Sequence, residues 1–110
     1  MKIVGVPFTV TDWEHVPAVE HPGELGMSRW RTAEAGNVRA RVVEYSPGYR
    51  ADHWCARGHV LWVLDGELTV ELKNGRRHHL KKGMSFQAAD DDLNPHLAFT
   101  TAGATVFIVD

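Results

Sequence analysis

GYRADHWCARGHVLWVLDG, Gly48 to Gly66, is the stretch on which the reading of this chain turns. It sets three side chains of metal-ligand type, His53, Cys55 and His59, within seven residues and then enters an apolar run that stops at Asp65-Gly66. On a β-strand His53 and Cys55 leave the same face, about 6.5–7 Å apart along the chain. Two groups so placed reach one ion at about 2.0–2.3 Å if they lean together. His59 to Leu64 is almost continuously apolar, the pattern of a strand covered on both faces.

Outward from this stretch the period is two. Met27, Arg29 and Arg31 alternate with Ser28, Trp30 and Thr32; Ala35-Gly36-Asn37 supplies a turn, and Val38 to Tyr45 alternates again. Beyond the Asp65-Gly66 turn, Leu68, Val70 and Leu72 are expected to face inward and Glu67, Thr69 and Glu71 outward. Asn74-Gly75 reads as a type I′ hairpin turn with both residues at positive φ. Arg76 to Leu80, Met84 to Ala89, His96 to Thr100 and Ala104 to Val109 complete eight or nine short strands, with a polar loop over Asp90 to Pro95. Short strands at this spacing, without helical periodicity, predict an all-β sandwich or small barrel.

Residues 1–26 read differently. Pro7, Pro17 and Pro22 together with Gly5, Gly23 and Gly26 break regular structure, so this segment is expected to be an irregular arm on a barrel formed by 27–110, the whole 1–110 being one domain. Lys2 to Val6 could form a short edge strand. Phe8 and Trp13 are the expected anchors, and Thr11 with Glu14 suggests a capped single turn.

A net charge of −2 gives no support for a nucleic-acid or membrane-surface partner. One cysteine excludes an internal disulfide and suits a reducing compartment. With neither a signal-peptide pattern nor a stretch of about 18–20 apolar residues, the expectation is a cytoplasmic protein.

The spacing Gly48-x4-His53-x-Cys55-x3-His59-x6-Gly66 resembles the first motif of the cupin superfamily, G-x5-H-x-H-x3,4-E-x6-G. It departs from it in a shorter opening, in cysteine at the second histidine and in histidine at the glutamate. Gly83, Pro95 and His96 resemble a loosened second motif, with Thr100 where asparagine is usual. Asp52-His53-Trp54-Cys55 also resembles the small single-domain cupins named for a DHCW motif. The resemblance covers roughly residues 38–109. It implies a cupin-type jelly-roll barrel with a metal held by His53, Cys55, His59 and His96, and it implies little about the substrate. Three imidazoles and one thiolate keep the charge of the usual three histidines and carboxylate. The soft sulfur moves the preference toward a divalent transition metal such as zinc, iron or nickel.

Two functional classes follow: a metal-dependent enzyme, an oxygenase or isomerase acting on a small-molecule ligand in the barrel mouth, or a non-catalytic ligand-binding or sensor module with a structural metal. Cys55 could alternatively be a buried hydrophobe or a nucleophile beside a histidine. Val60, Trp62 and Leu64 oppose His59, Leu61 and Val63, which gives an apolar outer face to be covered by the arm or, as in a homodimer, by a second subunit. His78 and His79 lie in a basic hairpin arm read as solvated, although His78 would line the pocket if it shares the inward parity of Leu80. Asp90-Asp91-Asp92 reads as a solvated loop.

Overall fold

The computed structural model describes residues 2–90 and 95–110. Eight strands are present: β1 (Val19–Pro22), β2 (Met27–Ala35), β3 (Val38–Tyr45), β4 (His59–Leu72), β5 (Arg77–Lys81), β6 (Ser85–Ala88), β7 (His96–Phe99) and β8 (Ala104–Val109). All pairings are antiparallel, in the order β1-β2-β3-β8-β4-β5, with β6 and β7 also on β4. The sheet does not close on itself. No helix among the described residues is long and apolar enough to cross a membrane.

β4 is the hub. Its first half pairs with β6 and β8, and its second half, from Glu67, with β5 and β7. The inward residues of both halves meet in one core: Leu61 and Val63 from the first, Leu68 and Val70 from the second, with Val43, Leu80, Val106 and Ile108. Strict alternation along β8 (Ala104, Val106 and Ile108 buried) supplies the facing wall.

The expected turn at Asp65-Gly66 is not a turn. The strand runs on through it, with a register shift between Val63 and Asp65 and Gly66 at φ 74°. A Cβ at Gly66 would collide with the carbonyl oxygen of Gly103. Glycine here lets one strand bend and change partners, which sequence alone does not separate from a reversal. The Asn74-Gly75 hairpin is present but not as type I′. Only Gly75 has positive φ, and the Gly75 N–H donates to the Leu72 carbonyl at 2.9 Å. The loop is the three-residue kind, a β-turn followed by a left-handed glycine.

The arm departs most from expectation. Lys2 to Val6 is not a strand; it is tied to the β2–β3 turn by Asn37, whose Oδ1 accepts from Val4 N–H at 2.8 Å and whose Nδ2 donates to the Lys2 carbonyl at 2.7 Å. Phe8 anchors nothing, being 98% exposed. Trp13 does pack, edge-on to Phe107 with ring centroids 5.9 Å apart. The single turn, a 3-10 turn at Trp13–His15, is capped by Asp12 rather than Thr11: its carboxylate accepts from Glu14 N–H at 3.2 Å. β1 lies inside the segment read as irregular, because Val19 to Pro22 finds an edge on Met27 to Trp30.

Of the acidic loop, Asp91 and Asp92 lie outside the described residues. Asp90 is not merely solvated, since its Oδ1 accepts from Gly58 N–H at 2.6 Å just ahead of β4.

Candidate metal centre

The loop before β4 runs antiparallel beside β7. Ala51 N–H donates to the Ala98 carbonyl at 3.0 Å, and Cys55 and His96 exchange both backbone hydrogen bonds, at 2.8 and 2.9 Å. Cys55 is thereby fixed beside His96 without belonging to a strand. His59 opens β4, and its side chain is 8% exposed. The two imidazoles meet edge to face, at 81° with centroids 4.8 Å apart, and their Nε2 atoms are 3.0 Å apart. The Phe86 ring lies 5.4 Å from each and closes one side. The ligand atoms of Cys55, His59 and His96 all fall within 4.8 Å of one another.

His53 is not brought into this group. Residues 52–53 form a bend rather than a strand, so the period-two relation to Cys55 does not hold. Its ring is 75% exposed, with Nδ1 2.6 Å from Asp52 Oδ1, and that hydrogen bond holds the Asp52 carboxyl below its ordinary range. His53 lines the outer part of a cavity of about 430 Å³ into which Cys55, His59 and His96 also face.

The surroundings of the three donors set their protonation. The hydrogen bond with His96 pulls the Cys55 thiol below its ordinary value against the opposing effect of burial, toward the thiolate that binds metals. Burial, followed by repulsion from His96, lowers His59 to about 4, so its imidazole is neutral at physiological pH. His59 Nδ1 is buried without a hydrogen-bond partner and lies 3.8 Å from Asp110 Oδ2. A proton on Nδ1 meets that carboxylate and leaves the Nε2 lone pair facing His96 and Cys55. The opposite tautomer sets a lone pair against an anion.

Asp110 is a residue that sequence reasoning missed. Its side chain is 1% exposed and is held by Arg39 through two hydrogen bonds of 2.9 Å, and by Arg41 Nη2 at 3.2 Å. Burial pushes its carboxyl upward, but Arg39, Arg41 and Arg57 together hold it below the usual range. One clue was present: Asp110 shares the parity of Ala104, Val106 and Ile108.

His78 does take the inward parity of Leu80. It lines a second cavity of about 310 Å³ with Val70, Leu80, Phe86 and His96, although it is itself exposed. His79 lies on the other face, 3.1 Å from both Glu67 Oε2 and Thr69 Oγ1.

The donors fit a transition-metal ion. One ion bound by two imidazoles at about 2.0–2.1 Å needs their nitrogens about 2.8–3.0 Å apart for an octahedral angle and about 3.3–3.4 Å for a tetrahedral one. The observed 3.0 Å lies at the octahedral end. One sulfur with two nitrogens is a donor set for zinc, iron, nickel or copper rather than magnesium or calcium.

No protein-family profile matches the sequence, and no curated protein matches it. Solved structures do. An RmlC-like cupin from Shewanella frigidimarina superposes with TM-score 0.75 at 16% identity, covering 96% of this chain and 92% of that one. A sugar phosphate isomerase from the cupin superfamily of Silicibacter pomeroyi gives 0.71 at 18%, covering 92% and 74%. The Fe(II) form of HppE with its alternative substrate (S)-1-HPP gives 0.72 at 17%, covering 94% of this chain and 60% of that one.

Proposed function

Starting from the cupin fold that this chain has, we propose that it is a metal-binding cupin in which Cys55, His59 and His96 hold a divalent transition metal beside a small-molecule pocket. The observation that carries the reading is the 3.0 Å approach of two imidazole Nε2 atoms with a thiol in reach of both. A hydrogen-bonded pair of core histidines does not by itself call for a thiol within 4.8 Å of both.

An ion bound there supplies Lewis-acid polarisation of a ligand oxygen. The chain's own residues supply the rest. Asp110 sets a negative charge 3.8 Å from His59 Nδ1, Phe86 shields both imidazoles from water, and the cavity of about 430 Å³ is of the size that small ligands occupy. Three protein donors among the described residues favour a site that also accepts a ligand, and so favour the enzyme over the structural-metal reading. An oxygenase or isomerase activity belongs to this proposal as its finer part.

The homodimer belongs to it as well. Val60 and Trp62 on β4, 39% and 49% exposed, adjoin Met84, 47% exposed, ahead of the neighbouring strand β6. The arm leaves this face bare, so a second copy is the proposed cover.

Elemental analysis of protein purified without a histidine tag tests the metal, with Cys55→Ser and His96→Ala as controls. The reading expects about one transition-metal ion per chain, lost in His96→Ala and weakened or lost in Cys55→Ser. Wild type without stoichiometric metal after loading with zinc, iron or nickel would overturn it.

A further inference from the structure

The cavity beside the candidate metal centre carries more positive charge than its own residues neutralise. Arg39, Arg41 and Arg57 all line it, and among the described lining residues Asp110 is the one carboxylate side chain. Glu34 acts on Arg39 from the neighbouring strand but does not line the cavity. Arg39 spends both of its hydrogen bonds on Asp110. Arg41 is the unusual one. Its side chain is 7% exposed, its guanidinium lies 4.5 Å over the Trp30 ring, and it gives Asp110 a single hydrogen bond from Nη2. Its Nε is sealed from solvent without a partner, and its Nη1 makes no hydrogen bond to a described residue. A buried cation so poorly matched is costly unless something else meets it. Arg57, 55% exposed and 3.5 Å from Asp110, stands beside it with most of its donors open.

We propose that this cavity binds a small organic carboxylate, received by Arg41 Nη1 and by the guanidinium edge of Arg57 on the side of the cavity that holds Asp110. The assignment rests on the small-molecule reading of the cavity given above but does not require the metal. Carboxylate is favoured over phosphate by the walls. Trp30, Leu61, Phe86 and Ile108 offer apolar surface, where the additional oxygens of a phosphate would lie unsatisfied. The planar edge of a guanidinium matches the two oxygens of a carboxylate.

The test is calorimetric titration of the full chain, once after dialysis against a chelator and once loaded with zinc, with acetate, pyruvate, succinate and glutarate as probes. Succinamide serves as the uncharged analogue and inorganic phosphate as the competing anion. At least one acid is expected to bind saturably to the metal-free protein, at least ten-fold more tightly than phosphate, and succinamide to bind at least ten-fold more weakly than any acid that does. Arg41→Gln is expected to weaken it on the order of 10- to 100-fold, as loss of a hydrogen bond between charged groups does. Arg57→Gln, at a half-exposed position where folding is not at stake, is expected to weaken it several-fold. Absence of saturable binding by all four acids, tighter binding of phosphate, or affinities unchanged in Arg57→Gln and in folded Arg41→Gln would each overturn the proposal. Arginine-dependent binding to a protein that takes up no metal would uphold the carboxylate site while the metal reading fails. Binding that appears only with zinc and ignores both arginines would overturn the carboxylate site and leave the metal reading standing.

Discussion

His59 and His96 bring their Nε2 atoms to 3.0 Å although they belong to opposite ends of the longest strand: His59 begins β4, and His96 pairs with Leu72, where β4 ends. A straight strand of that length would separate its ends by roughly 43 Å. The bend at Gly66 folds the two halves over each other and so makes the site. The candidate metal centre is therefore a product of the backbone device that also builds the core.

Gly66→Ala is accordingly expected to damage both. It adds a Cβ at φ 74° against the Gly103 carbonyl, for a loss of about 2–4 kcal/mol, from left-handed strain together with a steric clash. Gly75→Ala has a similar φ of 87° but open space around it, and about 1 kcal/mol is expected. Urea denaturation of the two variants side by side checks the difference.

The sequence made the strands legible because their period of two is set by burial of one face, and motif spacing singled out His59 and His96, which the structure places side by side. It misled at Asp65-Gly66, where a glycine that bends a strand looks the same as one that reverses it. It misled at His53, whose ring turns to the adjacent Asp52, so that local hydrogen bonding outweighs the alternation a strand would impose. Arg39, Arg41 and Asp110 escaped notice for a different reason. Both faces of β3 carry apolar residues, so parity did not mark the arginines as inward, and their partner lies about seventy residues away.

Asp110→Asn is expected to destabilise the fold by about 3–5 kcal/mol, because it leaves buried Arg41 and half-buried Arg39 without their anion. The same change removes the carboxylate facing His59 Nδ1 and is expected to weaken metal binding on the order of 10- to 100-fold. Urea midpoints and zinc titrations of the variant measure the two effects separately.

Metal-free protein is expected to lose stability on acidification through His59. Its folded value is lowered from 6.5 to about 4, so the unfolded chain takes up the proton first. The contribution is fully present above pH 6.5 and is lost as pH falls toward about 4, amounting to on the order of 3 kcal/mol. Urea midpoints measured across that window should fall more steeply for wild type than for His59→Phe.

Trp62→Glu sets a charge in the middle of the exposed face of β4 and β6. In the proposed homodimer it is expected to give monomers while leaving metal content unchanged. Light scattering on the eluting protein reads the mass directly; wild type already monomeric at working concentrations would remove the dimer from the account.

The central claim, that Cys55, His59 and His96 bind one ion together, is tested most directly by titrating cobalt(II) into metal-free protein and following the absorption of a cobalt–thiolate bond. The expected result is a thiolate charge-transfer band that saturates at one equivalent, vanishes in Cys55→Ser and His59→Ala, and persists in His53→Ala. No saturable band in wild type, or one that survives Cys55→Ser, would contradict it.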